Sequence, residues 1–164
     1  MHPLQRPAAT GKAQTMKWID IPPVWLAAFC LLAWSQSAFF SFGLSIASGV
    51  TFILGGLIIG AGLLLIALAA IEFRKHQTTI VPHQLPQRVI QSGVFSKTRN
   101  PIYLGDTLIL AGLCLRWDAV LALPLVPVFV WIIEKRFVVP EENRMRRAFR
   151  GEYARYEQKV RRWV

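Results

Sequence analysis

The chain predicts an all-α fold: a polytopic transmembrane helical bundle of about four spans with a cytoplasmic amphipathic C-terminal helix. Three observations carry that expectation. The 164 residues are 54% hydrophobic and only 17% charged, too little polar surface to coat a soluble globule. Residues 49–71 contain no charge at all, a stretch long enough for a helix to cross a hydrocarbon core of ~30 Å. The basic residues lie almost entirely outside the apolar runs, as membrane topology requires.

The elements follow in chain order. Residues 1–20 form an N-terminal tail with Arg6, Lys12 and Lys17 and no convincing small-residue cleavage site after an apolar run, so the tail is retained and the first span uncleaved. Residues 21–164 form a single membrane-embedded domain. Its spans are placed at 24–42, 49–71, 101–115 and 119–139. Gly56 and Gly60 in the second have the small-xxx-small spacing that lets helix backbones approach closely. A loop at 72–100 follows, long for a connection between neighbours and therefore a place to look for function. Pro101 suits the first turn of the third span. Pro124 and Pro127 fall in the fourth, where neighbouring helices can re-satisfy the carbonyls that a kink frees. The C-terminal helix is placed at 141–164. Pro140 precedes Glu141 and Glu142, which suits a helix start and its dipole. Met145, Phe149, Tyr153, Tyr156, Val160 and Trp163 recur every three or four residues as one apolar stripe, which lies on the membrane or folds back over the bundle.

Lysine and arginine fix the orientation. Three precede the first span, none lies between the first and second, five fall between Arg74 and Arg99, one is Arg116, and ten follow from Lys135 onward. The uncharged link after the first span is thus outside, and both termini and the 72–100 loop are cytoplasmic. The charge of +10 suits lipid headgroups at this location better than nucleic acid. Cys30 and Cys114 sit inside apolar segments with no cysteine or histidine at ligand spacing and read as packed thiols. His76 and His83 read as loop residues, and no metal is expected. No obligate protein partner is implied.

Candidate chemistry gathers at the feet of the hairpin made by the third and fourth spans. Arg99 and Asn100 stand at a helix N-terminus, where a guanidinium, an amide and free backbone N–H groups suit a carboxylate or phosphate; the plainer reading is a topogenic arginine with a turn-forming Asn-Pro. Tyr103 is either an interfacial belt residue or a ligand contact. Asp106, an acid several residues into an apolar helix, is costly there and a functional candidate by default, unless it reaches headgroup water. Glu141 and Glu142 suit an ordinary acidic first turn, or one of them turns inward toward a cationic ligand.

The stretches HQTTIVP at 76–82, SGVFSKTRNPIYLG at 92–105 and PEENRMRRAFRGEYARYEQKVRRWV at 140–164 together resemble the integral membrane methyltransferases of the isoprenylcysteine carboxyl methyltransferase and phospholipid N-methyltransferase group. The resemblance covers roughly the last 90 residues. It implies methyl transfer from S-adenosylmethionine to a lipophilic acceptor (an isoprenylcysteine-like carboxylate, a lipid amine or another small lipophilic molecule) at the cytosolic boundary of a bacterial inner membrane. Carried onto this chain, it makes Arg99 and Glu141 the catalytic pair. Asn100, Pro101, Tyr103, Gly105 and Glu142 would line the cofactor site, Tyr153 and Tyr156 would close it, and Asp106 would border the acceptor. Three positions depart from the common pattern: Asn100 replaces a frequent histidine, Arg150 stands where Phe-Gly is usual, and Asp106 also resembles membrane sterol reductases, which use NADPH on a related bundle. A reductase is therefore one alternative, and a non-catalytic membrane adaptor with a basic tail is another.

Overall fold

The computed structural model describes residues 20–77 and 88–164, and all regular structure among them is helical. Expectations for residues 1–19 and 78–87, including His83 and most of the 76–82 stretch, lie outside the described residues. Helix α1 spans Pro22–Phe39, α2 Gly49–Lys75, α3 Pro101–Arg116, α4 Leu125–Ile133 and α5 Val139–Lys159. Short 3-10 turns at Gly93–Ser96 and Val120–Ala122 precede α3 and α4.

Helices α2 and α3 form the central pair, and four glycines set their distance. A Cβ on Gly62 would lie 2.6 Å from the Gly105 carbonyl oxygen, and one on Gly55 would lie 2.8 Å from that of Gly112. Gly55 and Gly62 are two helical turns apart, as are Gly105 and Gly112, so the seam is antiparallel and in register over both pairs. Ala69, fully buried two turns further on, extends it to Ile90 and Phe95 at the foot. The small residues that matter are thus not the expected pair. Gly56 and Gly60 have nothing within 4 Å of a would-be Cβ and lie on the open side of α2.

That open side is apolar: Val50, Phe52, Ile53, Leu57, Leu63, Leu64 and Ile71 are all exposed. Among the described residues α2 is the one helix long and apolar enough to cross a membrane, at 27 residues or about 40 Å. The expectation of about four spans is matched in length and apolarity by this one helix among the described residues. Helix α3, at 16 residues, reaches about 24 Å, short of a hydrocarbon core. The expected fourth span at 119–139 is not one helix. Pro124 caps α4 instead of kinking a longer helix, because the Val120–Ala122 turn already ends the preceding segment.

Helix α4 runs into α5 without a break. The joint is a π-helical turn at Glu134–Val138, and Val138 and Val139 both keep right-handed helical dihedrals. Pro140 therefore does not begin a separate helix; it has no N–H for the carbonyl four residues back, and a widened turn immediately before it accommodates that loss. The true break lies at Arg150, where φ 36° and ψ −110° divide α5 into two pieces. This region favours glycine, and holding another residue there costs about 1–3 kcal/mol. Helix α5 ends at Lys159, not at Val164, because Val160 turns extended and the last residues run back along the foot of α3. The apolar stripe folds over the bundle: Tyr153, Tyr156 and Val160 bury against Val89, with Met145 and Phe149 beside them.

Both ends of the bundle are fastened by polar contacts. On the side of the 40–48 link, the Ser37 hydroxyl donates to the Trp117 carbonyl and the Ile46 N–H donates to Asp118 at 2.8 Å. At the other end, Asp20 accepts from Trp25 at 3.1 Å and from Arg136 at 2.5 Å, which joins the start of α1 to the π turn. Ser92 donates to Glu72 and bonds His76 at 2.8 Å, pinning residues 92–96 to the foot of α2. Gly93 is needed there: its φ is +57°, and a Cβ would lie 2.6 Å from the Glu72 carboxylate. Between the ends lies a core of Phe29, Leu110, Phe129, Ile133 and Phe137, with Cys114 packed among them as a free thiol.

The seam yields a direct test. Gly62→Ala should destabilise the protein by about 1–3 kcal/mol, because the clash is with backbone that cannot turn aside. Gly60→Ala on the open face should be neutral or slightly stabilising. Thermal unfolding of the two variants in the same detergent checks both, and equal losses would remove the seam from the account.

Candidate active site

The sequence RNP at Arg99 to Pro101 turns the chain into α3 beside three other segments: the start of α1, the end of α2 and the start of α5. A cleft of about 350 Å3 opens between them. Pro22, Pro23, Ile66, Phe73, Phe95 and Ile102 form its apolar walls. Its polar groups are Arg99, Asn100, Tyr103, Asp106 and Glu141. Phe73 and Phe95 meet edge to face with ring centres 5.3 Å apart. The size and the mixture of apolar wall with a few convergent polar groups are those of a small-molecule site.

Six of the ten residues singled out from sequence line this cleft: Arg99, Asn100, Pro101, Tyr103, Asp106 and Glu141. The Tyr103 hydroxyl donates to Glu141 at 3.1 Å, which ties the first turn of α3 to the first turn of α5. Gly105 stands elsewhere; it packs against Gly62 and Ile66 in the seam. Tyr153 and Tyr156 lie behind the wall, where the Tyr156 hydroxyl donates to the Phe95 carbonyl at 2.7 Å and so holds a lining residue from the back. Burial pushes Tyr153 up to about 12 and raises Tyr156 as well, so both phenols remain neutral at any physiological pH.

Glu142 is the surprise of the pair of acids. Only 3% exposed, it is met by three guanidiniums: Arg162 at 2.8 Å, Arg146 at 3.2 Å and Arg99 at 3.2 Å. A carboxylate this deep requires such compensation. Glu157 joins the cluster through Arg99 at 2.5 Å and Arg146 at 2.6 Å, and Glu134 through Arg162 at 2.8 Å. Three acids and three arginines thus balance within one network. Glu157, Arg146, Arg162 and Glu134 were not read as site residues from sequence. They stand among many charges of a basic tail, and only the reversal of the chain after Lys159 brings them together.

The last residues complete the foot by backbone contacts. The Arg99 N–H donates to the Arg161 carbonyl at 3.1 Å, and the Asn100 amide and Thr98 hydroxyl both reach the Arg162 carbonyl, at 3.1 and 3.2 Å. Asn100 is therefore the N-cap of α3 by position without capping it by side chain. Arg99 keeps one donor in reserve: its Nε is buried and has no hydrogen-bond partner among the described residues.

Hydrogen bonds from Arg146, and then from Arg99, hold the Glu157 carboxyl below its ordinary range. A depressed folded-state pKa gives stability that is present at neutral pH and lost as the pH falls through the depressed value. Amide exchange in residues 151–164 should therefore accelerate as the pH is lowered below about 4, after correction for intrinsic rates. In Glu157→Gln that acid-dependent part should shrink. Identical acid profiles in the two proteins would mean that Glu157 does not hold the tail.

No curated protein and no solved structure matches the chain. A family model described as phospholipid methyltransferase matches residues 50–152, from the first turn of α2 to just beyond the break at Arg150. That match takes in α2, the seam, every cleft residue of α3 and both acids at the start of α5, and the chain belongs to the phospholipid methyltransferase family.

Proposed function

We propose that the protein transfers a methyl group from S-adenosylmethionine to a lipophilic acceptor, in the cleft between Arg99 and Asp106. The observation that carries this reading is the set of groups at the foot of α3: the unused buried Nε of Arg99, the Glu141 carboxylate in the same cleft, and aromatic walls between apolar helices. These residues fit the cofactor. Arg99 suits its carboxylate, Glu141 its ammonium, and Phe73 and Phe95 a flat ring. When bound, the cofactor supplies a methyl group already activated on a sulfonium, so the protein's task is placement and exclusion of water.

The chain's own groups do that placing. Tyr103 orients Glu141 by its hydrogen bond, and Glu142 with Glu157 orients Arg99. Glu157 also occupies part of the Arg99 fork, so an incoming carboxylate competes with it. Apolar walls reaching Ile66 on α2 favour an acceptor that arrives from the bilayer. We extend the reading to topology: the four apolar segments lie in a bacterial inner membrane, α2 crosses it fully, and the foot with both termini faces the cytoplasm. Family membership and the apolar open face of α2 support a membrane location.

Two measurements test this. Calorimetry on the detergent-solubilised protein should show binding of S-adenosylmethionine and none of NADPH, the cofactor of the reductase alternative. Arg99→Ala and Glu141→Gln should each weaken that binding by about one to two orders of magnitude, as loss of a charge-assisted hydrogen bond predicts. NADPH binding alone would replace the methyltransferase with a reductase, and binding of neither would leave the adaptor. Separately, thiol labelling of Ser45→Cys and Gln91→Cys, both exposed positions, should report opposite sides of the membrane, with Gln91→Cys cytoplasmic. Labelling from one side overturns the topology.

A further inference from the structure

At the pole opposite the cleft, an open recess of about 400 Å3 lies between the link that precedes α2 and the end of α3. It is lined by Arg116, the only lysine or arginine between Arg99 and Lys135. The Arg116 guanidinium stacks over the Phe52 ring, 3.7 Å from the ring centre, and takes no hydrogen bond or ion pair among the described residues. Stacking occupies the flat face and leaves the N–H edge open, the edge that fits a phosphate. The other polar groups of the recess are committed. Ser48 and Thr51 cap each other across the first turn of α2, the Thr51 N–H donating to Ser48 at 3.1 Å and the Ser48 N–H to Thr51 at 2.9 Å. Asp118 accepts from the Ile46 N–H at 2.8 Å and from the Ser45 hydroxyl. An open guanidinium beside one committed acid leaves room for a single negative charge, which is the charge of a phosphodiester.

A strip along α2 starts in this recess. Gly49, Gly56 and Gly60 fall on one side of the helix, and a Cβ on any of them would meet nothing within 4 Å. Val50, Ile53 and Leu57 beside them are exposed. From Gly49 to Gly60 the strip runs about 16 Å, close to half of a hydrocarbon core of ~30 Å. We infer that this pole binds a glycerophospholipid, with its phosphodiester on the Arg116 guanidinium and one acyl chain along the strip from Gly49 to Gly60. A free phosphate would use Arg116 alone, and a second copy of the chain would use the strip alone; a lipid of the adjoining leaflet uses both. The inference needs only that this pole lies at a membrane surface, and it is independent of the chemistry in the cleft at the other end.

The test counts lipids. The full chain, delipidated in a non-ionic detergent, is titrated with phosphatidylglycerol, and the molecules retained on each protein are counted by native mass spectrometry. The basic tail adds the same background to every variant that leaves it intact, so the reading is the difference between variants. The wild type should retain one lipid that Arg116→Gln binds about tenfold or more weakly, as loss of a charge-assisted contact with phosphate predicts. Arg116→Lys, which keeps the charge without the planar fork, should fall between the two. Gly56→Leu, which fills the strip without changing the charge, should lose the same lipid. Arg155→Gln, which removes an exposed charge from the tail, should retain it. Diacylglycerol, which has the chains without the phosphate, should not take its place, and inorganic phosphate at millimolar concentration should not displace it. Equal retention in the wild type and Arg116→Gln, or an equal loss in Arg155→Gln, overturns the inference. Retention in Gly56→Leu or occupancy by diacylglycerol does so too. Displacement by phosphate would make the recess a free-anion site, and the mass of two chains in place of the lipid would give the strip to a second copy; either result also overturns it.

Discussion

A buried carboxylate governs the foot of this bundle. Glu142 is almost fully removed from solvent, and an ion in that position is tolerable only when its charge is met on several sides. The three arginines that meet it come from three separate places: the turn before α3, the first piece of α5, and the segment that returns after α5. Each must be where it is for the others to be. The constraint therefore folds the tail back, closes the cleft on one side and fixes the direction of Arg99, whose remaining donor faces no partner. The site's geometry follows from electrostatic necessity at one residue just outside it.

That dependence explains the state of Arg150. Its left-handed backbone is unfavourable for any residue with a side chain, and Gly151, which could adopt it freely, is one position too late. The conformation is held from both sides. Tyr153 and Tyr156 bury beyond it, and Glu157 pairs across to Arg99 and Arg146. The resemblance pointed to this position as a departure, and the structure gives the departure its physical content: the bend is kept and is maintained by contacts made further along the chain.

Much of the architecture was legible in the sequence because it rests on local signals. The uncharged run of α2, the proline at the start of α3 and the aromatic stripe of the tail are each visible within a window of a few turns. Six of the ten candidate residues come together along one cleft because they belong to short motifs, RNPIY with Asp106 just after it and Glu141 just after Pro140. What could not be read depends on contacts between distant segments. Gly56 and Gly60 have the better packing motif, yet Gly55 and Gly62 do the packing, because the choice lies with the partner glycines on α3. Likewise nothing near Glu142 distinguishes it from Glu141. The difference is the return of Arg162, twenty residues later, through a chain reversal that periodicity extended as helix. The fourth apolar run was expected to be interrupted at Pro124 and Pro127, whereas it is divided by a 3-10 turn ahead of both prolines and then merges with α5.

The glycine seam also decides where the chain can change length. Register between α2 and α3 is set by two pairs of backbone contacts, and every residue of α3 that lines the cleft, Asp106 apart, lies on the foot side of them. With the seam held, one residue inserted in α3 between Tyr103 and Gly105 rotates what lies on the foot side of it by about 100° around the helix axis, turning Tyr103 out of the cleft. The same insertion in the 40–48 link, at the opposite end of both helices, is absorbed by a turn before the seam begins. Drift in length should therefore be tolerated at one pole of the molecule and forbidden at the other, so that the fold can vary at the far side of the bundle while the foot stays fixed to the residue.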